Sequence, residues 1–292
     1  MNNNNNSYFC TDLNLQMCIQ QQQHIILLMK IALCFLISYK HIVNKEEIWR
    51  EWIKPNEDII NVYFHYTSFS KITSSWIKQH ALPGNYIKNT DYLHVVPAYL
   101  TLLEYGIQQD LQNNWFCFLT ESCVPIISPT VFRRLFFENY MHSIMKWKPV
   151  HWNVNYTKRA NLNLLSNEFH LFNTPWFVLS REDAQRCILY KQVNPKIYNL
   201  ICNGKIANES IFAIMLKAQN QLEFVKNEEC VATDWLRMTS PTSPYLFSSA
   251  FSPQDSRFVE TFKKENKYTM FLRKVDVKFS NEILRRIIYS DV

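Results

Sequence analysis

The chain has 292 residues, 47% hydrophobic and 19% charged, which excludes a largely disordered protein and suffices for one or two packed domains. Only three glycines occur, Gly84, Gly106 and Gly204, too far apart to build a phosphate cradle, so a P-loop and a GxGxxG dinucleotide site are excluded. The net charge of +6 is mild and its basic residues form pairs rather than runs, so an anionic small molecule is expected as partner and nucleic acid is not.

In chain order, residues 1–23 read as a low-complexity, disordered tail, with Asn at positions 2–6 and Gln at 20–23. The run from His24 to Tyr39 is the most apolar of the chain. A membrane anchor is one reading of it, but a spanning helix needs roughly 20 apolar residues. Lys30 also sits at its centre, where a cation costs about 2.5–3.5 kcal/mol in a bilayer. No charged n-region or small-residue cleavage site marks a signal peptide. The favoured reading is a buried first strand, Ile31 to Ser38, in a soluble intracellular protein, with membrane association as the alternative.

A second strand is expected over Ile59–His65, from its β-branched and aromatic residues. Val96–Tyr105 reads as a helix opened by Pro97, and Trp115–Leu119 as a short buried strand ending in polar residues. Pro129–Tyr140 is a further helix, and Trp176–Leu179 a strand, with Ser180 capping a helix over Arg181–Tyr190. Asn208 is expected to cap Glu209–Ala218, Thr269–Lys274 to form a strand, and Asn281 to cap Glu282–Ile288. Alternation of this kind predicts an α/β fold with a largely parallel central sheet flanked by helices, as one domain over residues 24–292. The eight cysteines include no CxxC pair and no nearby histidine at finger spacing, so neither a structural zinc site nor a disulfide framework is expected.

Six segments then occur in a telling order. They are Tyr92-Leu-His-Val-Val-Pro-Ala-Tyr99, Phe118-Leu-Thr-Glu-Ser-Cys-Val-Pro-Ile126, Thr174-Pro-Trp-Phe-Val-Leu-Ser-Arg-Glu-Asp-Ala184, Asn208-Glu-Ser-Ile-Phe-Ala-Ile-Met-Leu216, Thr233-Asp-Trp-Leu-Arg237 and Phe271-Leu-Arg-Lys-Val275. Together with the first two strands, this series resembles the core-2/I-branching glycosyltransferase family, including its plant-type branch. The resemblance implies a GT-A-like nucleotide-sugar fold. It also implies inverting transfer of a sugar, N-acetylglucosamine or xylose, from a UDP-sugar to a hydroxyl of a glycan or glycoprotein acceptor. It further implies catalysis without a metal or other cofactor, and the sequence contains no Asp-x-Asp. A catalytically degenerate sugar- or nucleotide-binding protein of the same fold is the alternative.

An inverting transfer is a single displacement, in which one carboxylate takes the acceptor proton as the nucleotide leaves from the opposite face. The resemblance places Glu209 in that role, although an acidic residue in a first helical turn is also common for its favourable dipole interaction. Here Asn208 stands where the family has Asp. The departing pyrophosphate needs fixed positive charge, for which Lys274 is the family-matched residue, with Arg273 beside it and Arg237 as the nearest second cation. Glu121 and Ser122 follow a buried strand, where α/β proteins gather ligands, and Trp176 could cover the apolar face of a pyranose or simply fill the core. His65 and Tyr66 end the second strand, where the resemblance puts the uracil ring.

Overall fold

The computed structural model describes residues 28–37, 40–240 and 243–290. The expected tail and residues 24–27, 38 and 39 of the apolar run lie outside them. The strands are β1 (Lys30–Leu36), β2 (Ile60–His65), β3 (Asn113–Thr120), β4 (Val124–Pro125), β5 (Trp147–Pro149), β6 (Leu171–Asn173), β7 (Val178–Ser180), β8 (Val231–Thr233) and β9 (Phe271–Arg273). The longer helices are α1 (Glu46–Ile53), α2 (Val96–Gln109), α3 (Pro129–Asn139), α4 (Arg181–Val193), α5 (Pro195–Cys202), α6 (Ile211–Lys217), α7 (Pro253–Glu265) and α8 (Asn281–Tyr289).

The main sheet has the order β2-β1-β3-β7. β1 is parallel to both β2 and β3, so the apolar run Ile31–Leu36 is an interior strand. Side chains alternate across a strand, and both faces of β1 are covered. Ile31, Leu33 and Phe35 pack with Phe64, Trp115 and Leu119, whereas Ala32, Cys34 and Leu36 pack with Tyr63, Phe116 and Phe118. Burial on two faces is why the segment is continuously apolar. Among the described residues, no helix is long and apolar enough to cross a membrane.

β7 departs from the expected parallel arrangement, pairing with β3 antiparallel through Phe116↔Leu179. It follows the antiparallel β5–β6 pair rather than a crossover helix, and an antiparallel return needs no such crossover. A second sheet, β4-β9-β8, packs beside the first, with β9 antiparallel to β4 and parallel to β8. The indole N–H groups of Trp49 and Trp52 in α1 tie it in, donating to Cys123 O (2.9 Å) and Ile127 O (2.8 Å).

Two expected helix caps are displaced. Ser280, not Asn281, caps α8 by accepting from Ile283 N. Asn208 caps nothing: residues Ala207–Glu209 form a short 3-10 turn, and α6 starts only at Ile211. Ser210, at φ −147° and ψ −40°, breaks the helical geometry between them. Ser180 does cap α4, accepting from Asp183 N at 3.3 Å.

Candidate active site

Glu209 owes its position to an unusual backbone. Ile206 holds φ 54° and ψ 39°, a left-handed conformation that a β-branched residue rarely takes. Facing it, Lys158, Ala160 and Asn161 also have φ near 50°. The two segments are stitched by Ala160 N donating to Lys205 O at 2.9 Å. Gly204 makes the approach possible, since a Cβ there would lie 2.3 Å from Asn161 N. Such conformations cost about 1–3 kcal/mol each and persist only where surroundings impose them. Their product is one contact: Arg159 Nη1 donates to Glu209 Oε2 at 3.3 Å.

The pair opens into a cavity of about 440 Å³ whose lining includes Glu209, Arg159, Trp176, Trp235, Lys148 and Glu229. Its volume suits a sugar-sized ligand. Burial pushes the Glu209 carboxyl above its ordinary value, and the Arg159 charge only partly opposes this. A carboxylate raised in this way is a stronger base than a solvated one. Arg159 has a second contact, over the Trp152 ring at 5.0 Å from its centroid. A wider groove elsewhere, between α3 and α7, is lined by surface side chains such as Arg134, Glu138, Lys264 and Lys267, and none of the expected site residues reaches it.

Trp176 links this cavity to the basic residues. It is only 8% exposed and lines the cavity, so it serves both the core and the site. The Arg273 guanidinium lies 4.5 Å from its ring centroid. Nη1 of that guanidinium donates to Ser122 Oγ at 2.6 Å and to Thr120 Oγ1, fixing it at the end of β3. Its Nε–H is buried and without a partner. Lys274 follows directly. Burial and the neighbouring Arg273 charge push its ammonium below the ordinary lysine value, with Glu121 opposing and Lys40 adding to the decrease. Three cations, Lys40, Arg273 and Lys274, thus collect near one carboxylate where β1, β3 and β9 end.

Two sets of expected residues are placed differently. Arg237 forks between Asp234 Oδ2 (2.6 Å) and Asp255 Oδ1 (2.7 Å) and stacks on Tyr245, so both carboxylates already neutralise it. His65 is 1% exposed, and burial, with the Lys88 charge adding, pushes its imidazole down to about 4. Its Nε2 accepts from Lys88 N at 3.2 Å, and the Tyr66 hydroxyl donates to Leu82 O at 3.0 Å. Their polar atoms therefore serve the packing around β2. Sequence reasoning missed Arg159, Glu229 and Lys40. Trp235 was within reach, inside the Thr233–Arg237 motif.

Among the described residues, no group of three or more His, Cys, Asp or Glu side chains could hold a metal ion. The family model for the core-2/I-branching enzymes matches residues 33–259. The chain belongs to that family. It is therefore a glycosyltransferase, which implies a nucleotide-sugar donor and a glycan acceptor. No curated protein matches it. The matched span takes in Glu209, Trp176 and Arg237, while Arg273 and Lys274 lie beyond its end.

Proposed function

We propose that this glycosyltransferase has the GT-A-like architecture and moves N-acetylglucosamine or xylose from a UDP-sugar to an acceptor hydroxyl with inversion, without a metal. The observation that carries the proposal is Glu209. It is a carboxylate raised by burial, loosely held by one arginine at 3.3 Å, in a cavity of sugar size. In the proposed reaction Glu209 takes the acceptor proton as the hydroxyl oxygen attacks the anomeric carbon, and the bond from that carbon to the pyrophosphate oxygen breaks.

Lys274 supplies the phosphate contact, with Lys40 as a second charge that spares Arg237 that task. Arg273 is fixed by Thr120 and Ser122 and backs Trp176, so it sets the field and the ring position together. A charge fixed before reaction needs no reorganisation as the pyrophosphate departs, and such contacts are worth several kcal/mol. Glu121 completes the site by balancing these cations.

The test is UDP release from UDP-N-acetylglucosamine and UDP-xylose, paired with UDP-binding calorimetry. Lys274→Ala should weaken UDP binding about 10–100-fold, the loss of one charge-assisted contact. Added EDTA should leave turnover unchanged. UDP binding without turnover of any donor would favour a degenerate binding protein, and loss of activity in EDTA restored by manganese would overturn the metal-free reading.

A further inference from the structure

A second carboxylate, Glu229, lines the same cavity as Glu209. It lies two residues before β8, and its backbone carbonyl accepts from Thr269 Oγ1 at 3.3 Å. This contact anchors its main chain to the β9 side of the second sheet. The charged groups acting on its side chain are Lys146 and Lys148 around β5 and its neighbour Glu228, and the other titratable residues lining the cavity include Arg159, Glu209 and His151. None of these cations pairs closely with it among the described residues. Lys146 Nζ instead donates to Asn227 O at 3.2 Å, Lys148 lies over Phe172 at 5.8 Å, and Arg159 is committed to Glu209.

The two carboxylates therefore differ in kind. Glu209 has a cation partner, so its ionised form is supported. Glu229 is partly buried without one, and burial raises it to about 7. Neighbouring carboxyls whose environments differ are suited to opposite proton tasks. A sugar entering the cavity displaces further water from Glu229, which favours the neutral acid still more.

Resting on the proposed transfer reaction, we infer that Glu229 is an acceptor-binding residue that works as the neutral acid, donating its carboxyl O–H to a hydroxyl of an uncharged acceptor sugar. Glu209 receives the proton that moves in the reaction, and Glu229 keeps its own. The cavity then binds neutral sugars best at or below neutrality. Ionised Glu229 can accept a hydrogen bond but cannot donate one, so it mispairs with an acceptor positioned for the acid.

The experiment measures acceptor KM and kcat on both sides of pH 7. Its probes are methyl β-galactoside, methyl β-xyloside and methyl β-N-acetylglucosaminide, with UDP-N-acetylglucosamine and UDP-xylose as donors. For the acceptor used, wild-type KM should rise about tenfold per pH unit above the Glu229 transition, as expected when one group must be protonated. Glu229→Gln keeps an N–H donor of similar size, so its KM should lose this alkaline rise. Glu229→Ala should raise KM about tenfold over the wild type below the transition and should likewise lose the alkaline rise. UDP affinity, measured for each variant, verifies that the donor site is folded. An alkaline rise unchanged in the Gln variant, or an unaltered KM in the Ala variant, overturns the role of Glu229. If the wild type uses none of these donors and acceptors, the transfer reading itself falls and this inference falls with it. The two failures are thus distinguishable.

Discussion

Two arginine–carboxylate clusters in this molecule share their parts but not their purpose. In one, Arg237 bonds Asp234 at 2.6 Å and Asp255 at 2.7 Å, with its guanidinium 3.9 Å from the Tyr245 ring centroid. Asp255 also closes the capping box of α7 with Ser252. In the other, Arg159 makes one 3.3 Å contact to Glu209 and lies 5.0 Å from the Trp152 ring centroid. The carboxylates respond in opposite ways. Hydrogen bonds to Ser252 and Arg237 outweigh burial and hold Asp255 below its ordinary value, whereas burial outweighs Arg159 and raises Glu209. A carboxylate with its lone pairs engaged is a structural anion; one left underpaired beside a cavity is free to take a proton.

The sharpest way to break this comparison is to remove the proposed proton acceptor alone. Glu209→Gln should lower kcat by about 10²–10⁴, the usual worth of a positioned general base. Unfolding midpoint and UDP affinity should scarcely change. Near-normal turnover would take Glu209 out of the mechanism and leave the two clusters alike.

Arg237→Met is the converse. It removes the cation from two carboxylates that are 3% and 1% exposed, and breaking a buried pair costs about 3–5 kcal/mol. The loss should appear as a lower midpoint in urea unfolding. UDP affinity, measured where the variant remains folded, should stay close to wild type. Selective loss of UDP binding in a stable variant would return Arg237 to the phosphate site.

How much of this was legible beforehand differs between the regions. The motifs around Glu209, Trp176 and Lys274 were readable because they are short and contiguous. So were β1, β3, α2 and α4, whose apolar runs, Pro97 and Ser180 announce them locally. The second sheet was mostly hidden, since β4 and β8 have two and three residues, too few to display a period. Arg159 was invisible for another reason. It follows a non-glycine residue in a left-handed conformation, which no propensity rule anticipates, and it meets Glu209 across 50 residues. The fate of Arg237 likewise depended on Asp255, placed 18 residues away by α7.

Gly204 tests whether that irregular backbone sets the Arg159–Glu209 geometry. Gly204→Ala forces a methyl group against Ala160 and Asn161 main-chain atoms, which cannot swing aside as a side chain would. Overpacking of this sort costs about 1–3 kcal/mol. Because the displaced segment carries Arg159, kcat should fall as well, while the Arg237 contacts to Asp234 and Asp255 are untouched. A stable variant with full activity would show that the close approach is dispensable to the site.

The smallest expected effect is also the most direct comparison of the two carboxylates, because it reads the sign of their linkage to folding. Stability rises with pH wherever the unfolded chain binds more protons than the folded one. Asp255 is depressed in the folded state, so its contribution is present above its unfolded pKa and is lost as pH falls through the folded value. Glu209 is raised, so between its unfolded and folded values the folded protein holds the extra proton, and stability falls as pH rises through that window. Unfolding free energies measured across the acidic range for wild type, Asp255→Asn and Glu209→Gln separate the two. The wild-type advantage over Asp255→Asn should shrink on acidification. Relative to Glu209→Gln, the wild type should instead lose ground as pH rises. Differences of the same sign would mean that the two arginines hold their carboxylates alike, and the looseness of the Arg159 contact would then have no chemical consequence.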